Sequence, residues 1–355
     1  MRTRIVETEV WKEDLQLKRS YRIAGEEITD AYNAFIVLRD ETGRSGIGAA
    51  SPMPEVCGEH MHETLTGLNK AAELLRSAGA LPLEIFCEIL EKELSETPAA
   101  WAAVDMALYD LSCKQLGISV VAFLGKHHTA METSVTIGIS SEDRVREELF
   151  AHLVQGFRVI KVKIGDNVDR DIAIIHKLRE WGGNEFRLRV DANEGYTLLS
   201  LKQFMARTAK LNIELIEQPL PSPAGDHMRT LSGTQRAVCM ADEDLMTEGD
   251  ADALSEGTPY GVWNVKLMKS GGITPTKRIA AKALRAGIRV MWGCNDESRI
   301  SIAAALHVAF SCSATQYLDL DGSFDIAHDI VSGGFVLENG KLRLTDTPGL
   351  GVMLL

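Results

Sequence analysis

The run Val159-Ile160-Lys161-Val162-Lys163-Ile164 reads as a buried β-strand with two lysines on one face. Side chains alternate along a strand, so Lys161 and Lys163 point one way and Val162 the other. Four runs of the same kind follow: Leu188-Arg189-Val190-Asp191, Glu214-Leu215-Ile216-Glu217, Cys239-Met240-Ala241-Asp242 and Trp263-Asn264-Val265-Lys266. Each puts a charged residue where the strand ends. From Asp191 to Glu217 is 26 residues, from Glu217 to Asp242 is 25, and from Asp242 to Lys266 is 24. That is one strand, one helix and two loops, so the same position recurs in consecutive βα units. Strand candidates cover 132–138, 158–164, 186–192, 213–217, 237–241, 262–266, 288–292 and 315–319. Helical stretches lie between most of them, the weakest before 237, where 219–225 is rich in Pro and Gly. Eight such units within about 190 residues predict a compact α/β fold, a (β/α)7β TIM-like barrel, rather than an open sheet. The strand ends of a parallel barrel share one mouth, where active sites are built. The helix after Lys266 is expected to start with Thr274 as its cap and Pro275 in its first turn.

Outward from the barrel the pattern changes. Residues 1 to about 40 alternate apolar and polar, as antiparallel strands do. Helical patterns follow near 61–78, 82–95 and 97–115. Strands followed by a run of helices predict a separate α+β domain over 1–125, beside a barrel over 126–324. Beyond 325, Asn339-Gly340 between two short strand-like runs is a hairpin signal. The tail 325–355 is expected to return and complete the first domain.

Lys+Arg is 38 against Asp+Glu 50, a net charge of −12. An acidic chain is a poor partner for nucleic acid or an anionic membrane, and it mildly favours a cationic ligand. The six cysteines form no Cys-x-x-Cys pair and several sit in apolar runs, so reduced thiols are expected. No apolar run reaches the roughly 18 residues a membrane span needs, and no signal core opens the chain. A cytoplasmic enzyme is inferred, with homo-oligomerisation left open.

The charged strand ends carry the chemistry. An acid at a strand end often caps the next helix. Three of them, Asp191, Glu217 and Asp242, at a near-constant period point instead to a shared cation. All-oxygen ligands suit Mg²⁺, with Mn²⁺ as a substitute. His60-Met61-His62 has ligand-like spacing but reads as an ordinary loop far from the carboxylates. Lys266 lies across the barrel from Lys161 and Lys163. A metal flanked by a lysine on each side suits removal and return of a proton α to a carboxylate, through a metal-stabilised enediolate. Mutual repulsion and the metal are expected to lower the lysine pKa values, so that a neutral amine acts as base. Asp319-Leu320-Asp321 ends the eighth strand run. Its two carboxylates face the same side and hold an ammonium group, or else open a turn at Asp321-Gly322.

On these residues the chain closely resembles the enolase superfamily, in its muconate-lactonizing subgroup, where lysine bases work beside Mg²⁺. The matching stretches are Lys161-x-Lys163, the trio Asp191, Glu217 and Asp242, and Asn264-Val265-Lys266-Leu267-Met268-Lys269-Ser270-Gly271-Gly272. Asp319-x-Asp321 is similar to the motif of dipeptide epimerases, where it holds the dipeptide's α-ammonium. The resemblance covers nearly the whole chain. It implies Lys163 and Lys266 as the acid/base pair and Lys161 as the partner of the substrate carboxylate, with Thr136 also in the substrate site. One departure is Asp244, where relatives often have serine, which bears on the bonding around the metal ligands. Members acting on alanyl-glutamate carry an arginine in a capping loop. The Tyr21-Arg22-Ile23-Ala24-Gly25 run, placed in register, puts Glu26 there. Asp296 adds an acid near the mouth and Met53 adds apolar surface. The expected substrate is therefore a cationic or hydrophobic dipeptide rather than Ala-Glu, inverted at the α-carbon of its C-terminal residue.

Competing readings share some of these residues. A cycloisomerase, an o-succinylbenzoate synthase or an N-acylamino acid racemase of the same subgroup needs the lysines and metal but not Asp319 and Asp321. A Schiff-base aldolase needs a lysine but no acidic trio. A non-catalytic binding barrel needs no lysine on both sides of a cation.

Overall fold

In the computed structural model, which describes residues 2–355, the first domain opens with β1 (Ile5–Asp14). The small hairpin β2 (Tyr21–Ile23) and β3 (Glu26–Ile28) follows, then β4 (Tyr32–Asp40) and β5 (Ser45–Ala50). β1, β4 and β5 form one antiparallel sheet, and β2 pairs only with β3. Five helices come next: α1 (Pro54–Cys57), α2 (Met61–Ser77), α3 (Leu83–Leu94), α4 (Pro98–Leu116) and α5 (Val120–Leu124). α4 is apolar almost all round because it is covered on every side, by β5, α2 and α3 of its own domain and by barrel helices. β5 approaches it closely: a Cβ on Gly48 would meet the Ala103 carbonyl oxygen at 1.8 Å, so only glycine fits. His60, read as part of a loop, is the N-cap of α2, and Glu63 answers it in a capping box.

After β6 (Met131–Glu132) come the eight parallel strands. These are β7 (Val135–Ile137), β8 (Val159–Lys163), β9 (Arg187–Asp191) and β10 (Ile213–Glu217), then β11 (Cys239–Ala241), β12 (Val262–Val265), β13 (Arg289–Trp292) and β14 (Thr315–Leu318). The ring closes where Ser134 N donates to Leu318 O at 3.2 Å, beside a parallel Thr133–Leu318 bridge. The connections are α6 (Glu142–Val154), α7 (Val168–Gly182), α8 (Leu198–Thr208), the short pair α9 (Gly225–Arg229) and α10 (Gly233–Val238), α11 (Glu248–Ser255), α12 (Leu267–Ser270) with α13 (Ile273–Ala286), and α14 (Arg299–Ser311). Helical spacing sets which face is buried: Ile172, Ile175 and Leu178 on α7, and Thr276, Ile279, Ala280 and Ala283 on α13.

Thr274 does not cap α13. It lies inside the first turn, behind the N-cap Gly272 (φ 105°). Its hydroxyl donates to Asp105 Oδ1 at 2.6 Å, and its backbone N–H donates to Asp105 Oδ2 at 3.1 Å. The cap is thus a carboxylate from α4 of the other domain, so the same bonds cap a helix and dock two domains.

The tail divides its contacts. β16 (Phe335–Glu338) and β17 (Lys341–Leu344) form the hairpin expected at Asn339-Gly340, both with φ near +50 to +70°. β17 adds to β6, next to the barrel, not to the first domain's sheet. β15 (Val331–Gly333) pairs with β18 (Val352–Leu354). The first domain is reached elsewhere, where Ala327 N donates to Gln16 O (2.7 Å) and Leu350 N to Asp110 Oδ1 (2.8 Å). All six cysteines are free thiols. No helix among the described residues is long and apolar enough to cross a membrane.

Buried His307 on α14 ties this junction together. Its Nδ1 accepts from Val121 N at 3.0 Å and its Nε2 faces Leu350 O at 3.3 Å. Burial holds its pKa down at about 4. Protonation would set an N–H against the Val121 N–H. A base with a depressed folded-state pKa contributes stability above its unfolded value, near 6.5, that is lost as pH falls towards 4. We expect His307→Gln to lose this pH-dependent part. Its urea-unfolding free energy relative to the parent should gain about 2–3 kcal/mol between pH 7.5 and 4.5. A constant difference between the two proteins would refute the assignment.

Candidate active site

The C-terminal strand ends bring the charged residues to one level. Lys163, the last residue of β8, is in register with Asp191, the last of β9, which is in register with Glu217, the last of β10. Asp242 follows β11, Lys266 follows β12 and Asp319 follows β14. β8 and β12 are four strands apart in a ring of eight, so Lys163 and Lys266 rise from opposite walls.

The carboxylates and ammonium groups interlock. Lys161 Nζ lies 2.9 Å from Asp191 Oδ2, 2.8 Å from Glu217 Oε2 and 2.7 Å from Asp319 Oδ2. Lys163 Nζ donates to Asp191 Oδ2 (2.8 Å) and Asn193 Oδ1 (2.9 Å). Asp242 is held from two sides, by Lys266 Nζ on Oδ2 (2.7 Å) and Lys269 Nζ on Oδ1 (2.5 Å). Asn264 Nδ2 donates to Glu217 Oε1 at 2.7 Å. Gln218 Oε1 accepts from the backbone N–H of both Asp242 and Asp244. Asp244 in turn accepts from Tyr260 OH at 2.8 Å and from Ala224 N at 3.1 Å. Asp244 is therefore satisfied, and it braces the loop behind the trio.

Burial alone would raise every acid here. At Asp191 the ammonium groups of Lys161 and Lys163 outweigh it, and at Asp242 those of Lys266 and Lys269 do, so both carboxyls sit well below the usual range. Glu217 is pushed up to about 7 by burial and by the Asp191 charge. Glu243 is pushed up to about 8 by burial and by Asp242 and Asp191, and its Oε2 is buried without a hydrogen-bond partner. Burial favours neutral amines, but surrounding carboxylates hold Lys161 and Lys266 above the ordinary lysine value.

No group of three or more His, Cys, Asp or Glu among the described residues already stands in a metal-binding arrangement, and ammonium groups lie against the inner oxygens of the trio. The donor set nonetheless fits a hard divalent cation. Asp191 and Glu217 share one cationic nitrogen within 2.9 Å, Asp242 repels both, and all three are buried oxygen donors.

A cavity of about 530 Å³ lies between the barrel mouth and the hairpin β2–β3. Lys161, Lys163, Lys266, Thr136, Met53, Asp296, Asp319 and Asp321 all reach it. Glu26 is not among its lining residues, whereas Glu27 is; in the hairpin Glu26 pairs with Ile23 and Glu27 with Arg22. Asp319 Oδ1 accepts from Ser134 OH at 2.5 Å, while its Oδ2 holds the Lys161 ammonium. Asp321 is pushed up to about 7 by burial and by the Asp319 charge, against a hydrogen bond from Thr136. Sequence reading did not single out Lys269, Asn193, Asn264, Gln218 or Tyr21. Asn264 and Lys269 flank Lys266 in the stretch that carries the family resemblance, which is the signal they left.

Residues 144–355 match the family model described as enolase C-terminal domain-like, and residues 5–125 match the mandelate racemase/muconate lactonizing enzyme N-terminal domain. The chain belongs to the enolase superfamily. Among its superfamily relatives, the L-Lys-D/L-Arg epimerase of Desulforapulum autotrophicum is 46% identical, with 98% of this chain and 99% of that protein covered. The L-Lys-D/L-Arg epimerase of Methylococcus capsulatus is 43% identical, with 99% of each covered. The dipeptide epimerase of M. capsulatus in complex with Mg and the dipeptide L-Arg-D-Lys has a TM-score of 0.95, at 42% identity over 99% of both chains.

Proposed function

We propose that this superfamily member is a Mg²⁺-dependent dipeptide epimerase that inverts the α-carbon of the C-terminal residue, with cationic dipeptides preferred. Relatives named as dipeptide epimerases, and a neighbour binding Mg and L-Arg-D-Lys, support the activity and the charge of the substrate. The observation that carries the mechanism is the rise of Lys163 and Lys266 from opposite walls on either side of Asp191, Glu217 and Asp242.

A Mg²⁺ ion held by that trio would supply Lewis-acid neutralisation of the substrate carboxylate and of the charge that spreads onto it when the α-proton leaves. The rest falls to the chain. Lys161 meets the substrate carboxylate, since its ammonium lines the cavity next to the carboxylates that would hold the ion. Asp319 and Asp321 hold the α-ammonium and fix which carbon lies between the lysines. One lysine takes the proton from one face and the other returns a proton to the opposite face.

The test is incubation of L,L-dipeptides with enzyme and Mg²⁺ in D₂O. A gain of one mass unit at the C-terminal residue, abolished by EDTA and restored by Mg²⁺, is expected for L-Lys-L-Arg. Folded, metal-supplied protein that exchanges no dipeptide, but does exchange N-acylamino acids, would move the reading to an N-acylamino acid racemase.

A further inference from the structure

Asp296, on the loop after β13, is fixed on several sides. Its backbone carbonyl accepts from Ser51 OH at 2.8 Å and from Asn33 Nδ2 at 3.2 Å. Its side-chain Oδ2 accepts from Tyr21 OH at 2.8 Å. Oδ1 has no hydrogen bond or ion pair with any described residue, and the side chain lines the substrate cavity. Tyr21 belongs to the hairpin that covers the mouth. The hairpin is anchored on the far side too, where Arg22 O accepts from Ile139 N at 2.8 Å. Asp166 also reaches the hairpin, at Gly25 N and Arg22, but of the two it is Asp296 that lines the cavity, and it is bonded on one oxygen and open on the other.

We propose that Tyr21 is a positioning residue for cation recognition. By holding Asp296 Oδ2, its hydroxyl sets the carboxylate plane before substrate arrives and aims Oδ1 at the guanidinium or ammonium of a basic side chain. A free aspartate would have to be ordered by each substrate, which costs affinity. A carboxylate paired in advance with a neutral donor keeps its charge and loses only its freedom. The hydroxyl also joins the lid to the barrel through the group that reads charge, so lid position and side-chain recognition are coupled. An apolar side chain makes no use of Oδ1 and gains nothing from this setting.

This inference rests on the dipeptide reading, and the test separates the two. L-Lys-L-Arg and L-Ala-L-Ala are compared in D₂O exchange with the parent, Tyr21→Phe, Asp296→Asn and the double variant. Phe keeps the ring and removes only the hydroxyl. The ratio of kcat/KM, cationic over apolar, should fall about tenfold in Tyr21→Phe, through KM rather than kcat. Asp296→Asn should lose the preference, and adding Tyr21→Phe to it should change little more. Equal losses on both dipeptides, a loss carried by kcat, or a parent without charge preference would overturn the proposal. If Tyr21→Phe does not fold, additive losses are replaced as the readout by Asp296→Asn alone, where an unchanged ratio overturns it. A parent that exchanges neither dipeptide sinks the function reading instead. Calorimetric binding of the two dipeptides to parent and Tyr21→Phe then decides this proposal, and equal shifts in affinity overturn it.

Discussion

Lys163→Ala and Lys266→Ala are each expected to lower dipeptide epimerisation by about 10²–10⁴-fold, the usual contribution of one general acid or base. The more telling result is which half of the reaction survives. With Lys163 and Lys266 on opposite walls, each amine is expected to reach only one face of the α-carbon. Lys163→Ala should still exchange the α-proton of one epimer in D₂O, and Lys266→Ala that of the other. Folding should hold in both. Asp191 keeps the Lys161 ammonium when Lys163 is cut, and Asp242 keeps Lys269 when Lys266 is cut, so neither carboxylate is left buried and bare. Mass spectrometry of pure L,L and L,D dipeptides decides the matter. Loss of exchange from both epimers in each single variant would rule out face-specific bases and leave one lysine, or a shared proton, doing both jobs.

The barrel was legible because its signal is periodic. Charged residues every 24–26 positions mark strand ends, and the eight strands formed within or next to the runs that announced them. The weak connection before β11 became two short helices, since Pro219, Pro221 and Pro223 each remove a backbone donor and the chain turns before it coils. What failed depends on distant partners. The cap of α13 comes from Asp105, 169 residues away from Thr274, which no local pattern contains. The number of carboxylates around each ammonium is likewise not legible locally; Lys161 meets three, from three different strands. Glu26 shares the Tyr21 and Ile23 face of its hairpin but is not among the residues lining the cavity, a matter of hairpin placement that strand periodicity does not give. The hairpin of the tail followed from Asn339-Gly340, yet its docking strand β6 gives no sequence signal at two residues long.

Removing the acids at the ammonium end should separate dipeptide chemistry from its relatives. Asp319→Asn takes one carboxylate from Lys161, which retains Asp191 and Glu217, and one acceptor from Ser134. It also removes the charge that, after burial, raises Asp321 most. Asp321 then ionises more readily and takes over part of the ammonium's neutralisation. The single variant should therefore lose about 10- to 100-fold in kcat/KM on dipeptides with a free amine. Asp319→Asn/Asp321→Asn has no such relief and should lose about 10²–10³-fold, the range for truncating a buried charged contact. Both losses should appear mainly in KM and should vanish with N-acetylated dipeptides, which carry no α-ammonium to hold. Urea unfolding with and without Mg²⁺ checks that the site still folds. Full activity of the double variant on free dipeptides would mean that the pair only orders Lys161 and the β14 turn. The choice among the muconate-lactonizing reactions would then rest on the cavity alone.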